Sequence, residues 1–243
     1  MFCLLCVSCL FASSAAKSFC SSCGNKVMIS EVYNCDCMEF MRTLPDKTFD
    51  LCIADPPYWS SEEQTGRIRT RGNKQSSLDL GSKLNFEMYA EFCRISKAQI
   101  IWGANNFGFP FKGFIVWDKT NIPDKFSMSK CELASVSDNL STVAKMFRAP
   151  SSFTGLQRIH PTQKPIALYG WILSTYAIGG GKIFDPMMGS QSSRIAAYKM
   201  GYDYWGCEMD KQFFEAGCER FERECLGIEK IENGKTVTQM SLF

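Results

Sequence analysis

The run Phe49-Asp50-Leu51-Cys52-Ile53-Ala54 carries a single polar residue and stops abruptly at Asp55-Pro56-Pro57-Tyr58. A strand apolar on both faces has no side to offer to water, so it belongs inside a parallel sheet covered by helices. The surrounding chain meets that demand. Glu31–Cys35 reads as a short strand, and Asp36 is placed to cap a helix whose apolar positions are Met38, Phe40, Met41 and Leu44, ended by Pro45. Phe86–Ile95 has the spacing of an amphipathic helix, and Ala98–Trp102 and Gly113–Trp117 read as strands. A helix over Pro165–Tyr176 leads through Gly179-Gly180-Gly181 to a strand, Lys182–Phe184, then to Asp185-Pro186-Met187-Met188-Gly189-Ser190 and a helix over Ser192–Met200. Tyr204–Cys207 is a further strand and Lys211–Cys225 a further helix. This alternation predicts an α/β fold, a mostly parallel open sheet of Rossmann-like build with helices on both faces. Residues 118–159 show no regular period and are expected to be an irregular insertion rather than sheet core.

Composition excludes several classes. Lys and Arg number 27 against 25 Asp and Glu, so no global basic field exists and any polyanion site must be local. The longest apolar stretch, Phe2 to Ala12, is broken by Ser8 and too short to cross a bilayer. A single histidine, His160, leaves no partner for a histidine dyad or a multi-histidine metal site, and no metal is expected. The 13 cysteines are odd in number, and five fall within the first 23 residues. The others lie in segments that read as core, which fits free thiols in a reducing cytoplasm, bacterial or phage-infected. Residues 1–27 are Cys/Ser/Ala-rich with Lys17 and Lys26 their only charges. They read as a dispensable leader ahead of a body that starts at Met28. A zinc knuckle pair (Cys6-x-x-Cys9, Cys20-x-x-Cys23) and a secretory signal lacking its basic end are the competing readings.

In open parallel sheets ligands bind beyond the carboxyl ends of the strands. Four acids stand at such ends: Asp36, Asp55, Asp185 (with Gly189) and Glu208. Each alone is a plausible helix cap; four together favour a site. Glu208, one βα unit after a glycine turn, suits the two hydroxyls of a ribose, and Gly189 would let backbone approach a ligand. In Asp55-Pro56-Pro57-Tyr58 the prolines stiffen the turn and withdraw N–H groups, leaving carbonyls free to accept. A nucleobase amine has its lone pair delocalised into the ring and is a poor nucleophile. A carboxylate and a carbonyl accepting its two N–H protons would orient it and stabilise developing positive charge, and Tyr58 could stack on an extruded base.

These residues resemble the amino-methylating DNA methyltransferases that use S-adenosylmethionine. Asp55–Tyr58 matches the family's D-P-P-Y motif, Phe184–Ser190 its cofactor loop, and His160-Pro161-Thr162-Gln163-Lys164-Pro165 the segment preceding that loop, over about Met28 to Cys225. The catalytic motif comes before the cofactor loop, as in the circularly permuted β class, which would make residues 118–159 the target-recognition segment. The resemblance implies that Asp55, Pro56, Pro57 and Tyr58 are catalytic. It implies that Asp36 and Cys37 meet the cofactor adenine, Glu208 the ribose, and Asp185, Gly189, Ser190, Thr162 and Lys164 the methionine end. The loop departs from D-P-F-x-G-S-G-T at Met187, where an aromatic is usual, and at Gln191, where glycine is usual. Aspartate as the first motif residue resembles the adenine-N6 enzymes; cytosine-N4 enzymes more often have serine there. No cysteine follows a proline, as cytosine-C5 methylation would need. RNA is not excluded by the base-handling residues.

The expected activity is therefore methylation of a flipped adenine in double-stranded DNA, with cytosine-N4 methylation as the runner-up and a clamp-tethered DNA-binding module that has lost catalysis as the reading from another class. Arg67, Arg69, Arg71 and Lys74, in a polar stretch from Ser60 to Lys83 that reads as a mobile loop, are candidate phosphate contacts. The body is expected to span 28–232 and a flexible tail 233–243. Its last residues, Gln239-Met240-Ser241-Leu242-Phe243, resemble the peptide by which bacterial proteins hold the sliding clamp, with Gln239, Leu242 and Phe243 as anchors; a frayed terminus is the plain alternative. A companion restriction endonuclease would complete a restriction-modification pair, and the chain is expected as a monomer or homodimer.

Overall fold

A computed structural model of the chain describes residues 28–58, 83–108, 111–125, 129–151, 158–230 and 236–238. The first 27 residues lie outside these. β1 (Ser30–Tyr33) turns through Asn34–Asp36 into α1 (Cys37–Arg42), where Asp36 accepts the Met38 N–H at 2.6 Å and so caps the helix as expected. β2 (Phe49–Ala54) follows, then α2 (Phe86–Ile95), capped by Asn85, then β3 (Ser96–Trp102) and β4 (Gly113–Lys119). β5 (Cys131–Val136) and β6 (Ala144–Ala149) precede α3 (Ile166–Tyr176), β7 (Lys182–Asp185), α4 (Ser192–Lys199), β8 (Asp203–Cys207) and α5 (Lys211–Phe221).

Eight strands form one sheet in the order β1-β8-β7-β2-β3-β5-β4-β6. Every pairing is parallel except those of β5, which runs against both β3 and β4. β2 lies near the centre and is apolar on both faces for the reason its sequence gives. Leu51 and Ile53 pack with Ile100, Trp102 and Ile183 against Leu168, Ile172 and Leu173 of α3 and Ala196 and Ala197 of α4. Cys52 and Ala54 pack with Ile101 and Phe184 against Cys37 and Met41 of α1 and Met88, Phe92 and Ile95 of α2. The doubly covered, mostly parallel sheet is the predicted fold class.

Residues 118–159 correct an expectation: two of the eight strands come from the segment read as irregular. β5 enters the sheet between β3 and β4 with Ala134, Ser135 and Val136 buried, and its polar neighbours are satisfied locally, as where Ser137 accepts the Gln99 N–H at 2.9 Å. β6 is an edge strand that exposes Lys145, Met146 and Arg148, a composition that suits an unpaired edge and reads as loop. The tail expected to be flexible from 233 likewise contributes a strand, β10 (Thr236–Thr238), antiparallel to β9 (Ile228–Lys230). The helix expected through Cys225 ends at Phe221 and widens into a π turn over Glu222–Leu226.

Candidate active site

Because β1, β8, β7, β2 and β3 are parallel, their carboxyl ends share one edge of the sheet, bringing Asp36, Glu208, Asp185 and Asp55 to that edge from four separate strands. The reversed β5 adds its amino end there, with Glu132 paired to Trp117 and Cys131 to Asp118, and β4 adds Lys119. Neither Glu132 nor Lys119 was found by reading the sequence, since the segment holding Glu132 offered no strand signal.

At the centre, Asp55 receives two donors. The Lys164 ammonium donates to Oδ2 in a short contact, and the Tyr58 hydroxyl donates to Oδ1 at 3.0 Å. Lys164 also reaches Glu132 Oε2 at 3.1 Å and the Tyr58 oxygen at 3.3 Å, so its three N–H groups meet three acceptors. Its side chain is 2% exposed and lies over the Trp102 ring, 5.0 Å from the centroid. Lys119 closes the far side of Glu132 at 2.5 Å. Burial pushes the Asp55 carboxyl upward, and neighbouring Lys164 only partly counters that. For Glu132 burial is again the largest influence, but Lys164 and Lys119 together outweigh it and hold the group down at about 2. Lys164, penalised by burial, is kept charged by Asp55 and Glu132.

Beside this cluster stands the loop from Asp185 to Gln191. Asp185, 2% exposed, accepts the Met187 N–H at 3.0 Å and the Ser193 hydroxyl at 2.5 Å. Its carboxyl is raised to about 7, by burial first and then by the charges of Asp55 and Glu208. Gly189 adopts φ 48°, a left-handed backbone that strains any side chain, and an added Cβ would sit in ordinary contact with the His160 ring at 3.4 Å. The Gly189 N–H donates to Glu208 Oε2 at 2.9 Å, and Asp210 N–H to Oε1 at 2.9 Å. Thr162 donates its N–H to His160 Nδ1 at 3.3 Å; Nδ1 is therefore an acceptor and the ring proton sits on Nε2. Burial, followed by the charges of Lys164 and Arg158, lowers the ring to about 4 and keeps it neutral.

Gln191 shows how the loop departs from the D-P-F-x-G-S-G-T pattern it resembles without losing its form. It takes the left-handed conformation a glycine would take, φ 58° and ψ 26°, and is fully buried. Its Oε1 accepts from Arg194 Nη1 at 2.8 Å, and its Nε2 donates to the Phe214 carbonyl at 3.2 Å. Arg220 donates to the Ser190 carbonyl at 2.7 Å and to Ser192 Oγ at 2.8 Å. Met187 packs with the cluster around Phe184 and Cys37. The structure thus joins Asp55, Tyr58 and Lys164 directly, and Gly189 with Glu208. Cys37 is buried, and Asp36 is exposed with its carboxylate engaged by its own helix. Pro56 is buried and Pro57 partly so. Arg67, Arg69, Arg71, Lys74, Gln239, Leu242 and Phe243 lie outside the described residues. Among the described residues no cluster of His, Cys, Asp and Glu is arranged to hold a metal, and no helix is long and apolar enough to cross a membrane.

Residues 116–219 match a family model described as DNA methylase, of the N6/N4 type. The family signal is that of an amino-methyltransferase. The chain is 26% identical to the type II methyltransferase M.HinfI of Haemophilus influenzae, over 76% of this chain and 66% of that protein. It is 25% identical to M2.MboI of Moraxella bovis, over 78% of this chain and 86% of that one. Among solved structures, M1.HpyAVI in complex with S-adenosylmethionine aligns with a TM-score of 0.53 at 22% identity, covering 78% of this chain and 98% of the other. The cytosine-N4-specific PvuII DNA methyltransferase aligns with a TM-score of 0.54 at 12% identity, covering 86% and 95%. The fold is that of the S-adenosylmethionine-dependent DNA methyltransferases.

Proposed function

We propose that this chain is an S-adenosylmethionine-dependent DNA methyltransferase that methylates N6 of an adenine extruded from double-stranded DNA. The observation that carries the reading is the single edge on which the Asp55 turn, the Gly189 cradle and Glu208 meet. When bound, S-adenosylmethionine supplies a methyl group on a sulfonium centre. The described residues fit it: a glycine-walled loop beside a neutral His160, with Glu208 for the ribose and Asp36 and Cys37 at the neighbouring strand end for the adenine. By the same resemblance Thr162, Lys164, Asp185, Gly189 and Ser190 would meet the methionine end. The permuted order of motifs supports this assignment.

The protein's own work is positioning. Asp55 and the Pro56 carbonyl accept the two N–H groups of the target amine and hold its nitrogen for attack. Tyr58 offers its ring to the base, while Asp55 and Glu132 fix its hydroxyl. Adenine is preferred to cytosine because the acceptor is Asp55 rather than serine; the fold itself is shared with a cytosine-N4 enzyme. Residues 118–159 would read the target, Arg67, Arg69, Arg71 and Lys74 would hold phosphates, and Gln239, Leu242 and Phe243 would engage a sliding clamp. The test is transfer of labelled methyl from S-adenosylmethionine to unmethylated duplex DNA, followed by nucleoside digestion and mass spectrometry. Label on N6-methyldeoxyadenosine is expected. Label on N4-methyldeoxycytidine would replace the base assignment, and absence of labelled DNA with absence of cofactor binding would reduce the chain to a DNA-binding module.

A further inference from the structure

Four charged side chains alternate in sign across the centre of the site: Asp55, Lys164, Glu132 and Lys119. Their charges sum to zero, and the two inner members are held by two partners each. Lys164 bridges two carboxylates, and Glu132 bridges two ammonium groups. The Tyr58 oxygen also lies 3.3 Å from Glu132 Oε2, the longer of two acceptors open to its one proton, so Glu132 touches every side chain that touches Asp55 in this cluster. An oxygen bound to an undivided ammonium is a weak acceptor for a neutral amine; dividing the ammonium between two carboxylates restores acceptor strength.

We propose that Glu132 is a positioning residue of the methyl transfer, sharing Lys164 with Asp55 so that Asp55 remains able to accept the target amine. The inference rests on the methyltransferase reading and adds to it a residue from β5, a strand that lies in the segment assigned to target recognition. Its position is determined by topology: only a strand running opposite to its neighbours brings its first residues to the edge where parallel strands end. The groups that set the charge at Asp55 are all named in the geometry: Tyr58 from its own turn, Lys164 ahead of α3, Glu132 from β5 with Lys119 behind it on β4, Tyr169 from α3 and Asp185 from β7.

Two substitutions carry opposite signs. Glu132→Gln keeps the size of the side chain but removes the negative charge, and its single oxygen can serve only one of the two lysines that now hold separate oxygens of the carboxylate. Asp55 then faces Lys164 undivided and becomes a stronger acid, so the acidic limb of kcat against pH moves down by about one unit and kcat at neutral pH falls by about tenfold. Lys119→Met frees Glu132 to draw Lys164 away from Asp55, and the acidic limb moves up. A residue that only supports the fold lowers activity by the same factor at every pH and moves neither limb. An unmoved limb with wild-type kcat in Glu132→Gln, or shifts of the same sign in both variants, overturns the proposal. The titration of Asp55 is also read directly by carbon-13 NMR of labelled aspartate, assigned with Asp55→Asn. That readout needs no turnover, so if the unaltered chain transfers no methyl group to DNA the functional reading fails while opposed shifts of Asp55 still decide the role of Glu132. Should Glu132→Gln not fold, Lys119→Met alone carries the test: an upward displacement of the Asp55 titration is expected, and an unmoved or lowered one overturns the proposal.

Discussion

Replacing Gln191 with glycine, the residue usual at this place in related loops, should turn Gly217 from a required glycine into a dispensable one. Gly217 lies inside α5, and a Cβ added there would stand 2.6 Å from Gln191 Nε2, 2.7 Å from its Cγ and 2.9 Å from its Cδ. The amide cannot swing aside easily, because it is fully buried and held by Arg194 and by the Phe214 carbonyl. Gly217→Ala alone should therefore destabilise the protein by about 1–3 kcal/mol through overpacking. Gln191→Gly alone relieves a left-handed residue worth about 1–2 kcal/mol but loses a charge-assisted hydrogen bond of about 1.5–3 kcal/mol and leaves a cavity, so it too should destabilise. With the amide gone, Gly217→Ala meets no obstacle and gains the helix preference of alanine, about 0.5–1 kcal/mol. The second substitution thus changes sign, giving a coupling of about 1.5–4 kcal/mol. Urea unfolding of the four proteins of this cycle, followed by circular dichroism, measures it. Additive effects within about 0.5 kcal/mol would refute the packing argument.

Other outcomes follow from the same geometry. Asp55→Ala should lower methyl transfer by about a hundredfold or more while calorimetric binding of S-adenosylmethionine is largely kept; retained turnover would remove its acceptor role. Gly189→Ala forces a side chain at φ 48° toward the His160 ring and should weaken cofactor binding by about tenfold, as a strain near 1–2 kcal/mol implies; an unchanged Kd would show that the cradle is not used. His160, as the single histidine, gives one resolvable proton NMR titration, expected with a midpoint of about 4, and a midpoint near the free value would contradict its burial. Asp185 is raised to about 7 in the fold, so between its unfolded value and about 7 the folded state binds more protons. Its contribution to stability is then present at low pH and lost as pH rises through about 7. Denaturation of wild type and Asp185→Asn across that window should show the loss in the former alone; parallel curves would mean the group is ionised throughout.

The core of the fold was legible because β2 and β7 carry their burial in their composition, and because Asp36 and the prolines after Asp55 mark where elements begin and end. The site was legible for a related reason, since residues that follow parallel strands arrive at one edge whatever lies between them. Glu132 and Lys119 were not. Glu132 reaches the site through β5, whose Ser135 and Ala134 have little strand character and whose place depends on pairing with both β3 and β4, and Lys119 stands at the end of β4 with meaning only beside that partner. β6 was missed for the opposite reason, as an exposed edge needs charges rather than a hydrophobic period. Gln191 looked like a defect in its motif because the compensation lies 26 residues later, at Gly217, beyond the reach of any local pattern.

The reversal of β5 also divides the chain between Lys119 and Lys164 into two excursions. β4 ends, β5 begins and β6 ends on the catalytic side of the sheet, whereas the turn joining β5 to β6 lies on the opposite side. The connections 120–130 and 150–158 therefore both start from the side where a base would enter, each anchored to sheet at its origin. Closing a longer loop between fixed ends costs only about 0.6 kcal/mol per doubling of its length. On the proposed function, in which residues 118–159 read the target, lengthening or exchanging these two connections while strands and Asp55 stay in place is the direct way to bring the same chemistry to a different DNA sequence.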